Sequence, residues 1–467
     1  MMDLERLVAA LGAVEVVDRA PVEVRDLAYD ARSVGAGALF FCVPGARADG
    51  HDFAADAVER GAAALVVERP LALGRAVPQV VVADARSAMA VAADAFFGEP
   101  THELEVAGVT GTSGKTTTSF LLFAILAAAG RRPGLLGTVE ARVGGERRGV
   151  ERTTPEAIDL QRLFREMLDA GDRSCAIEAS SHASELHRLD CVRFATLVFT
   201  NLSQDHLDFH GDMESYFQAK RRLFLDGSPP AAVNVGDEYG RRLAAELPDA
   251  LTFGFADDAQ LGPGALDGID LKLRGRFNVE NALGALAAGR LLGIDDAAIT
   301  RGIESVRGVP GRFESVDEGQ PFAVIVDYAH KPGALENVLQ AARDLARGGR
   351  VLCVLGAGGD RDRGKRPVMG RLASELSDVT IVTSDNPRSE DPQAIIDEIL
   401  AGVTGEVEIE PDRSTAIARA IELARDGDVV LIAGKGAEQG QQFADRTIPF
   451  DDREAAREAL RSLGARA

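Results

Sequence analysis

No stretch of this chain stays apolar long enough to cross a membrane. The longest such run, residues 120–129, falls well short of the roughly 20 residues a spanning helix needs. A signal-peptide layout is missing too. The opening MMDLERLVAALG carries acids, so a cytoplasmic location is expected. Cysteine is scarce. Cys42, Cys175, Cys191 and Cys353 lie far apart, mostly in apolar runs and without metal spacing. They read as small buried hydrophobes in a reducing compartment. A basic excess is also lacking. The 52 basic residues face 73 acidic ones, a net charge of −21, which argues against non-specific nucleic-acid binding. The scarcest basic residue is lysine, with Lys115, Lys220, Lys272, Lys331, Lys365 and Lys435 alone among the 52. Lysine is a compact point charge whose amine can lose its proton, which arginine cannot do. An arginine-rich chain should therefore keep lysine where arginine will not serve. Five of the six fall in motif-like stretches, although chance placement gives a plainer account.

What is present points to an α/β protein. A chain of 467 residues that is 46% apolar has ample material for two to four domains. Residues 1–100 form a small α/β unit, with strand-like runs at 38–43, 64–67 and 80–82 and polar loops at 29–33 and 44–50. On the residues alone this unit reads as a structural or binding domain. A linker is expected at 100–102 and a second boundary at 308–311, giving domains 1–100, 101–309 and 310–467.

The chemistry concentrates after the linker. A strand-like run ends at Thr110, followed by the turn Gly111, Thr112, Ser113, Gly114, then Lys115, Thr116, Thr117 and an apolar helix to Gly130. Strand, glycine turn, Lys-Thr and helix make a phosphate cradle. Backbone N–H groups and the helix N-terminus face the anion, Lys115 adds a charge and Thr116 can hold Mg²⁺. The strict P-loop spacing fails, because Val109 stands where its first glycine belongs. A tight turn with a stray lysine is the plainer alternative.

Further on, Thr153 to Glu156 precedes a periodic helix and reads either as a cap or as a substrate contact. Glu178 ends a strand-like run, where ligands of parallel sheets gather, and can hold a metal or simply neighbour a helix cap. Asn201, Asp205, His206 and Asp208 follow the next strand and can touch Mg²⁺ or phosphate. His206 and His210 lack the third soft ligand that zinc would require. Lys220 is either a solvated helix charge or an amine that takes up CO₂ to become a carbamate, a carboxylate on a long arm. Asn281 can read a base edge, or cap or pack its helix. Beyond residue 310, four buried β runs each lead into a polar or glycine-rich loop. That recurrence describes a doubly wound sheet with a loaded C-terminal edge.

The stretch from Gly108 to Thr117, the segment from Thr200 to Gly211, Lys220, Asn281, residues 311–314 and residues 327–330 together resemble the signatures of the Mur ligases, in order and over nearly the whole chain. The resemblance implies three domains: a small N-terminal α/β domain for a UDP-sugar, a central P-loop-type ATPase, and a C-terminal Rossmann-like amino-acid domain. Residues 359–365 and Asp385, Asn386, Pro387, Arg388 are similar to those of family members that add diaminopimelate. It implies ATP-dependent addition of meso-diaminopimelate to UDP-N-acetylmuramoyl-alanyl-glutamate, with Mg²⁺, by a monomer without nucleic-acid or membrane partners. By resemblance Lys115, Glu178, His206 and a carbamylated Lys220 are catalytic. Thr116, Glu178, His206 and Lys220 serve Mg²⁺. The turn from Gly111 to Thr117, with Asn281, Arg312 and Asp327, holds ATP. Tyr29, Ala31, Thr153, Thr154, Ser180 and Arg188 face the UDP-muramoyl substrate. Arg361, Asp385, Asn386, Pro387, Arg388, Gly434 and Glu438 take the amino acid, with the Arg388 fork on its second carboxylate.

Three positions depart from the family pattern: Ala31 for serine, Arg152 for asparagine and Ala437 for histidine. The competing readings are a lysine-adding relative, a folate-polyglutamating ligase and an ATP-driven switch that makes no amide.

Overall fold

The computed structural model describes residues 1–45 and 48–464, so positions 46 and 47 of the loop at 44–50 lie outside the described residues. Apolar runs alternate with helices along the chain. Parallel strands need such crossovers, and the helices then cover both faces of the sheet. Among the described residues the outcome is three sheets of five or more strands in succession, beside two two-stranded pairs.

The first sheet runs Glu15–Val17, Gln79–Val81, Ala62–Val67, Ala38–Phe41, Asp26–Ala28. Its three inner strands are those expected from the sequence. The two edges are only three residues long, which leaves little apolar pattern to read.

The second sheet has eight strands, in the order Glu146–Arg148, Ala141–Val143, Pro133–Leu136, Ser174–Glu178, Glu105–Thr110, Phe194–Phe199, Ala231–Asn234, Leu251–Phe253. Strand Glu105–Thr110 lies parallel between Ser174–Glu178 and Phe194–Phe199. The loops after residues 110, 178 and 199 therefore leave one edge side by side. Helices Lys115–Ala128, Arg276–Leu291 and Asp296–Ser305 pack one face through Leu121, Ile125, Leu283, Leu286 and Ile299. Helices Ala157–Asp169 and Met213–Leu225 cover the other through Phe164, Met167, Phe217 and Phe224. Each such side chain contributes about 1.5–3 kcal/mol on burial, so the edge rests on two packed layers.

The third sheet runs Glu314–Ser315, Ala323–Asp327, Val429–Ala433, Val351–Leu355, Val379–Val382, Glu408–Ile409. Only the first strand is antiparallel. The last long strand, Val429–Ala433, inserts between Ala323–Asp327 and Val351–Leu355. This places the loop after Ala433 beside the loops after Asp327 and Leu355. A fully buried ion pair, Arg413 to Asp452 at 2.7 Å, ties the final helix Asp452–Gly464 beneath this edge. Arg413 also donates to the carbonyl of Ala433 at 3.0 Å. Among the described residues, no helix is long and apolar enough to cross a membrane.

Candidate functional site

The glycine turn is built as the sequence suggests. Gly111 has φ +143, and a Cβ there would lie 1.9 Å from Thr200 Oγ1, so only glycine fits. Thr200 Oγ1 donates to the Ser113 carbonyl at 2.6 Å, and Ser113 N donates to Asn201 Oδ1 at 3.0 Å. The strand Phe194–Phe199 thereby holds the turn of its neighbour. Lys115 Nζ donates to the carbonyls of Gly111 and Thr112, both at 2.9 Å. Burial, reinforced by the charge of Lys331, lowers its amine to about 8.

Lys220 reaches the same turn from helix Met213–Leu225. Its Nζ donates to the Gly111 carbonyl at 3.0 Å and lies 4.7 Å from the Tyr216 ring centre. The side chain is 1% exposed, which removes the solvated-charge reading. Burial first, then the charges of Lys115 and Lys331, push the amine well below its ordinary value. A neutral amine is the form that reacts with CO₂.

Glu178 is buried at the end of its strand. It accepts from Thr138 N at 2.7 Å and Thr138 Oγ1 at 3.0 Å. Thr153 bonds the same Thr138 hydroxyl at 3.0 Å. Thr154 Oγ1 donates to the Glu178 carbonyl at 2.8 Å, with Ser180 Oγ 3.0 Å away. The capping reading of 153–156 therefore gives way: the residue before helix Ala157–Asp169 is Glu156, and no side chain caps it. The two threonines instead fix the loop beside Glu178.

His206 stands at φ +53, a strained backbone for a non-glycine residue. Its Nε2 lies 2.8 Å from Asp205 Oδ2, and its ring packs edge-on to His182 at 4.6 Å. His182 stacks on Phe209 at 4.2 Å, and burial lowers its imidazole to about 4. His210 turns aside to Ser181 Oγ at 3.0 Å. Among the described residues no His, Cys, Asp and Glu group of three could hold a metal by itself.

The third sheet closes the cavity. Arg312 donates to Thr116 Oγ1 at 3.1 Å and lies over the Tyr328 ring at 4.4 Å. Asp327 is buried, and its two oxygens accept from Phe313 N at 2.6 Å and Ala329 N at 2.7 Å. Burial raises its carboxyl to about 6, against the pull of Arg312. Asn281 packs against Gly114 and donates to Asn278 Oδ1 at 3.0 Å, so packing accounts for much of its amide. Thr112 to Thr117, Thr153, Thr154, Glu178, Ser180, Arg188, His206, Lys220, Asn281, Arg312 and Asp327 all line one cavity of about 440 Å³.

Tyr29 and Ala31 lie elsewhere. They line a second cavity of about 620 Å³ between the first sheet and the central one, together with Arg86, Arg152 and Glu156. Arg188 Nη2 meets Glu156 Oε1 at 2.8 Å, so one ion pair stands between the two cavities. Glu156 Oε2 and Arg188 Nε are buried without a hydrogen-bond partner. Arg152, at the departing position, also meets Glu156, at 3.1 Å.

The amino-acid candidates gather at the edge of the third sheet. Asn386 donates to Glu438 Oε2 at 2.7 Å, and its Oδ1 accepts from Lys435 Nζ at 2.9 Å. Gly434, at φ +124, leaves room for Asp385 Oδ2, which a Cβ would meet at 2.4 Å. Arg388, at φ +52, donates to the Gly359 carbonyl at 2.6 Å. Pro387 backs Gly359, whose Cβ would meet the Pro387 carbonyl at 1.9 Å. Burial, then the neighbouring Arg361 charge, lowers the Arg388 guanidinium. That pair of guanidiniums calls for an anion.

Family models match in three consecutive pieces: the Mur ligase family catalytic domain over residues 23–111, the Mur ligase middle domain over 109–289, and the Mur ligase glutamate ligase domain over 311–436. A UDP-N-acetylmuramoyl-L-alanyl-D-glutamate–2,6-diaminopimelate ligase from Solibacter usitatus is 47% identical, covering 95% of this chain and 95% of its own. The chain belongs to the Mur ligase family. It is an ATP-dependent ligase that forms amide bonds. A solved structure of a ligase of the same name is 30% identical, with TM-score 0.66, covering 94% of this chain and 95% of that one. A MurF ligase from Thermotoga maritima in complex with ADP, 21% identical over 95% of this chain and 99% of that one with TM-score 0.63, shares the fold.

Several residues of this Mur ligase were not foreseen. Thr138, which orients Glu178, sits in a loop without a motif. Glu156, which pairs with Arg188, looked like part of a cap. Lys331 lines the central cavity from the third sheet and pairs with Asp205, while Lys365 donates to the carbonyl of the neighbouring His330 at 2.8 Å. The scarcity of lysine was the available signal for these two.

Proposed function

We propose that this Mur ligase adds meso-diaminopimelate to UDP-N-acetylmuramoyl-L-alanyl-D-glutamate in peptidoglycan precursor synthesis, using ATP and Mg²⁺. The observation that carries the reading is the pair of cavities separated by the Arg188–Glu156 ion pair. A long substrate can seat its nucleotide end beside Tyr29 and Ala31 and bring its terminal carboxylate past Thr154 and Arg188 to the glycine turn. Arg188 Nε, buried without a hydrogen-bond partner, supports such an occupant, since buried polar atoms are rarely left unpaired. In this reading residues 1–100 bind the UDP-sugar, 101–309 bind ATP and 310–467 bind the amino acid. The enzyme works as a cytoplasmic monomer.

ATP transfers its terminal phosphoryl group to the substrate carboxylate. The diaminopimelate amine then attacks the carbonyl carbon, and phosphate leaves as the amide forms. Lys115 and the N–H groups of the turn stabilise charge on the transferring group. Thr116, Glu178, His206 and carbamylated Lys220 would hold Mg²⁺. This oxygen-rich set, with Glu178 oriented by Thr138, suits a hard cation. When bound, Mg²⁺ neutralises phosphate oxygens. Asp327 and Arg312 face adenosine, and Arg388 with Arg361 receives the distal carboxylate.

The test is phosphate release and product mass with the UDP-dipeptide and meso-diaminopimelate, L-lysine or no amine. Amide formed with diaminopimelate and not lysine is expected. Equal rates with lysine would overturn the amino-acid assignment, and phosphate release without any amide would favour the ATP switch.

A further inference from the structure

Lys331 occupies the N-cap of helix Pro332–Ala346 and makes no capping bond. Ser, Thr, Asp or Asn would serve that position better, so the lysine costs local helix stability. Its ammonium is committed elsewhere. It crosses from the third sheet to the central domain and pairs with Asp205 Oδ2, the atom that also meets His206 Nε2 at 2.8 Å. Both partners are mostly buried, with side chains 16% and 14% exposed. The Asp205 carboxylate is thus shared between the strained His206 on its own loop and a cation from the other domain. Other contacts across this boundary include the Arg312–Thr116 hydrogen bond and the Phe277–Phe313 ring contact at 5.8 Å.

We propose that Lys331 is a positioning residue, and that its ion pair with Asp205 latches the amino-acid domain over the glycine turn while the acyl phosphate exists. The inference rests on the ligase reading above. With the pair made, the amine-binding edge is seated against the cavity and water is kept from the acyl phosphate. With the pair broken, a water oxygen attacks the carbonyl carbon and the C–O bond to phosphate breaks. Phosphate leaves with the bonding electrons, a proton passes to solvent, and the dipeptide carboxylate is regenerated. ATP is then consumed without amide.

The readout is phosphate released per amide formed, measured on the full chain with ATP, Mg²⁺, UDP-dipeptide and meso-diaminopimelate. The variants are Lys331→Met, Asp205→Asn, the double variant, Lys331→Arg and, as a remote control, the exposed Lys272→Met. Wild type and control are expected near one phosphate per amide. Lys331→Met should raise the excess phosphate, that released beyond one per amide, about tenfold, the change that about 1.4 kcal/mol in the closed-to-open balance produces. Asp205→Asn should do the same from the other side, so either variant suffices if its counterpart does not fold. The double variant should be no worse than the more affected single one, and Lys331→Arg should recover part of the coupling. Excess phosphate unchanged from wild type in the single variants, or strictly additive losses in the double, overturns the latch. Wild type that makes no amide at all instead overturns the ligase reading.

Discussion

On the proposed reading, replacing Arg388 by alanine should erode the preference for diaminopimelate over lysine. The guanidinium is half-buried, donates to the Gly359 carbonyl at 2.6 Å, and stands beside Arg361 with its charge only partly offset by Glu438 and Asp385. Its loop has other supports besides the side chain. Arg388 N donates to the Gln442 carbonyl at 2.9 Å, Gly359 N to the Asn386 carbonyl at 2.8 Å, and buried Arg366 grips Glu390 at 2.8 Å. Alanine at φ +52 adds no strain that arginine does not already bear. The loss is therefore that of a charge-assisted carboxylate contact. Removing one partner of such a pair costs about 2–5 kcal/mol. Partial exposure and the surviving Arg361 place this case near the lower end, about 2 kcal/mol or roughly 30-fold in kcat/KM for diaminopimelate. The value for lysine, which has no second carboxylate, should move only slightly, and the ATP dependence should stay. Amide formation with both amines, followed by product mass, measures this. Equal losses for both amines would refute the reasoning and make Arg388 a loop-shaping residue.

Other outcomes are expected. Lys220→Ala should be partly rescued by acetate while Lys220→Arg stays inactive; an active arginine variant with no rescue would count against the carbamate. Because Lys115 is lowered to about 8, its ammonium is lost as pH rises through that value, so kcat/KM for ATP should fall there. A pH profile flat through this range would contradict it. Gly111→Ala adds about 1–3 kcal/mol of backbone strain as well as the clash with Thr200, and should abolish the ATP-dependent rise in melting temperature. Asp452→Asn leaves Arg413 buried without its charge partner and should lower unfolding free energy in urea by about 3–5 kcal/mol.

Much of the fold could be read from the sequence, because strands buried on both faces are continuous apolar runs ending in polar loops. The inner strands at 105–110, 174–178, 351–355 and 429–433 are of this kind. What stayed hidden was order. Nothing local announces that Val429–Ala433 inserts between Ala323–Asp327 and Val351–Leu355, yet this insertion brings Gly434 and Glu438 to Asp385 and Asn386. The glycine turn and Glu178 were visible because strand ends carry their chemistry locally. Thr138, Glu156 and the Lys331–Asp205 pair were not, since their meaning depends on partners tens to more than a hundred residues away. Lys220 was ambiguous on a helix with charges on several positions, and only burial against Gly111 decides between its two readings.

The placement of lysine has a practical side. Lys220 and Lys435 are buried, Lys331 is 16% exposed, and Lys115 and Lys365 are partly covered, which leaves Lys272, 45% exposed, as the open side-chain amine. An amine-reactive label or resin at neutral pH should therefore attach through Lys272 and the chain terminus. The enzyme could be tethered to a surface in nearly uniform orientation with its cavities free, and any further labelling that ATP suppresses would report on the glycine turn.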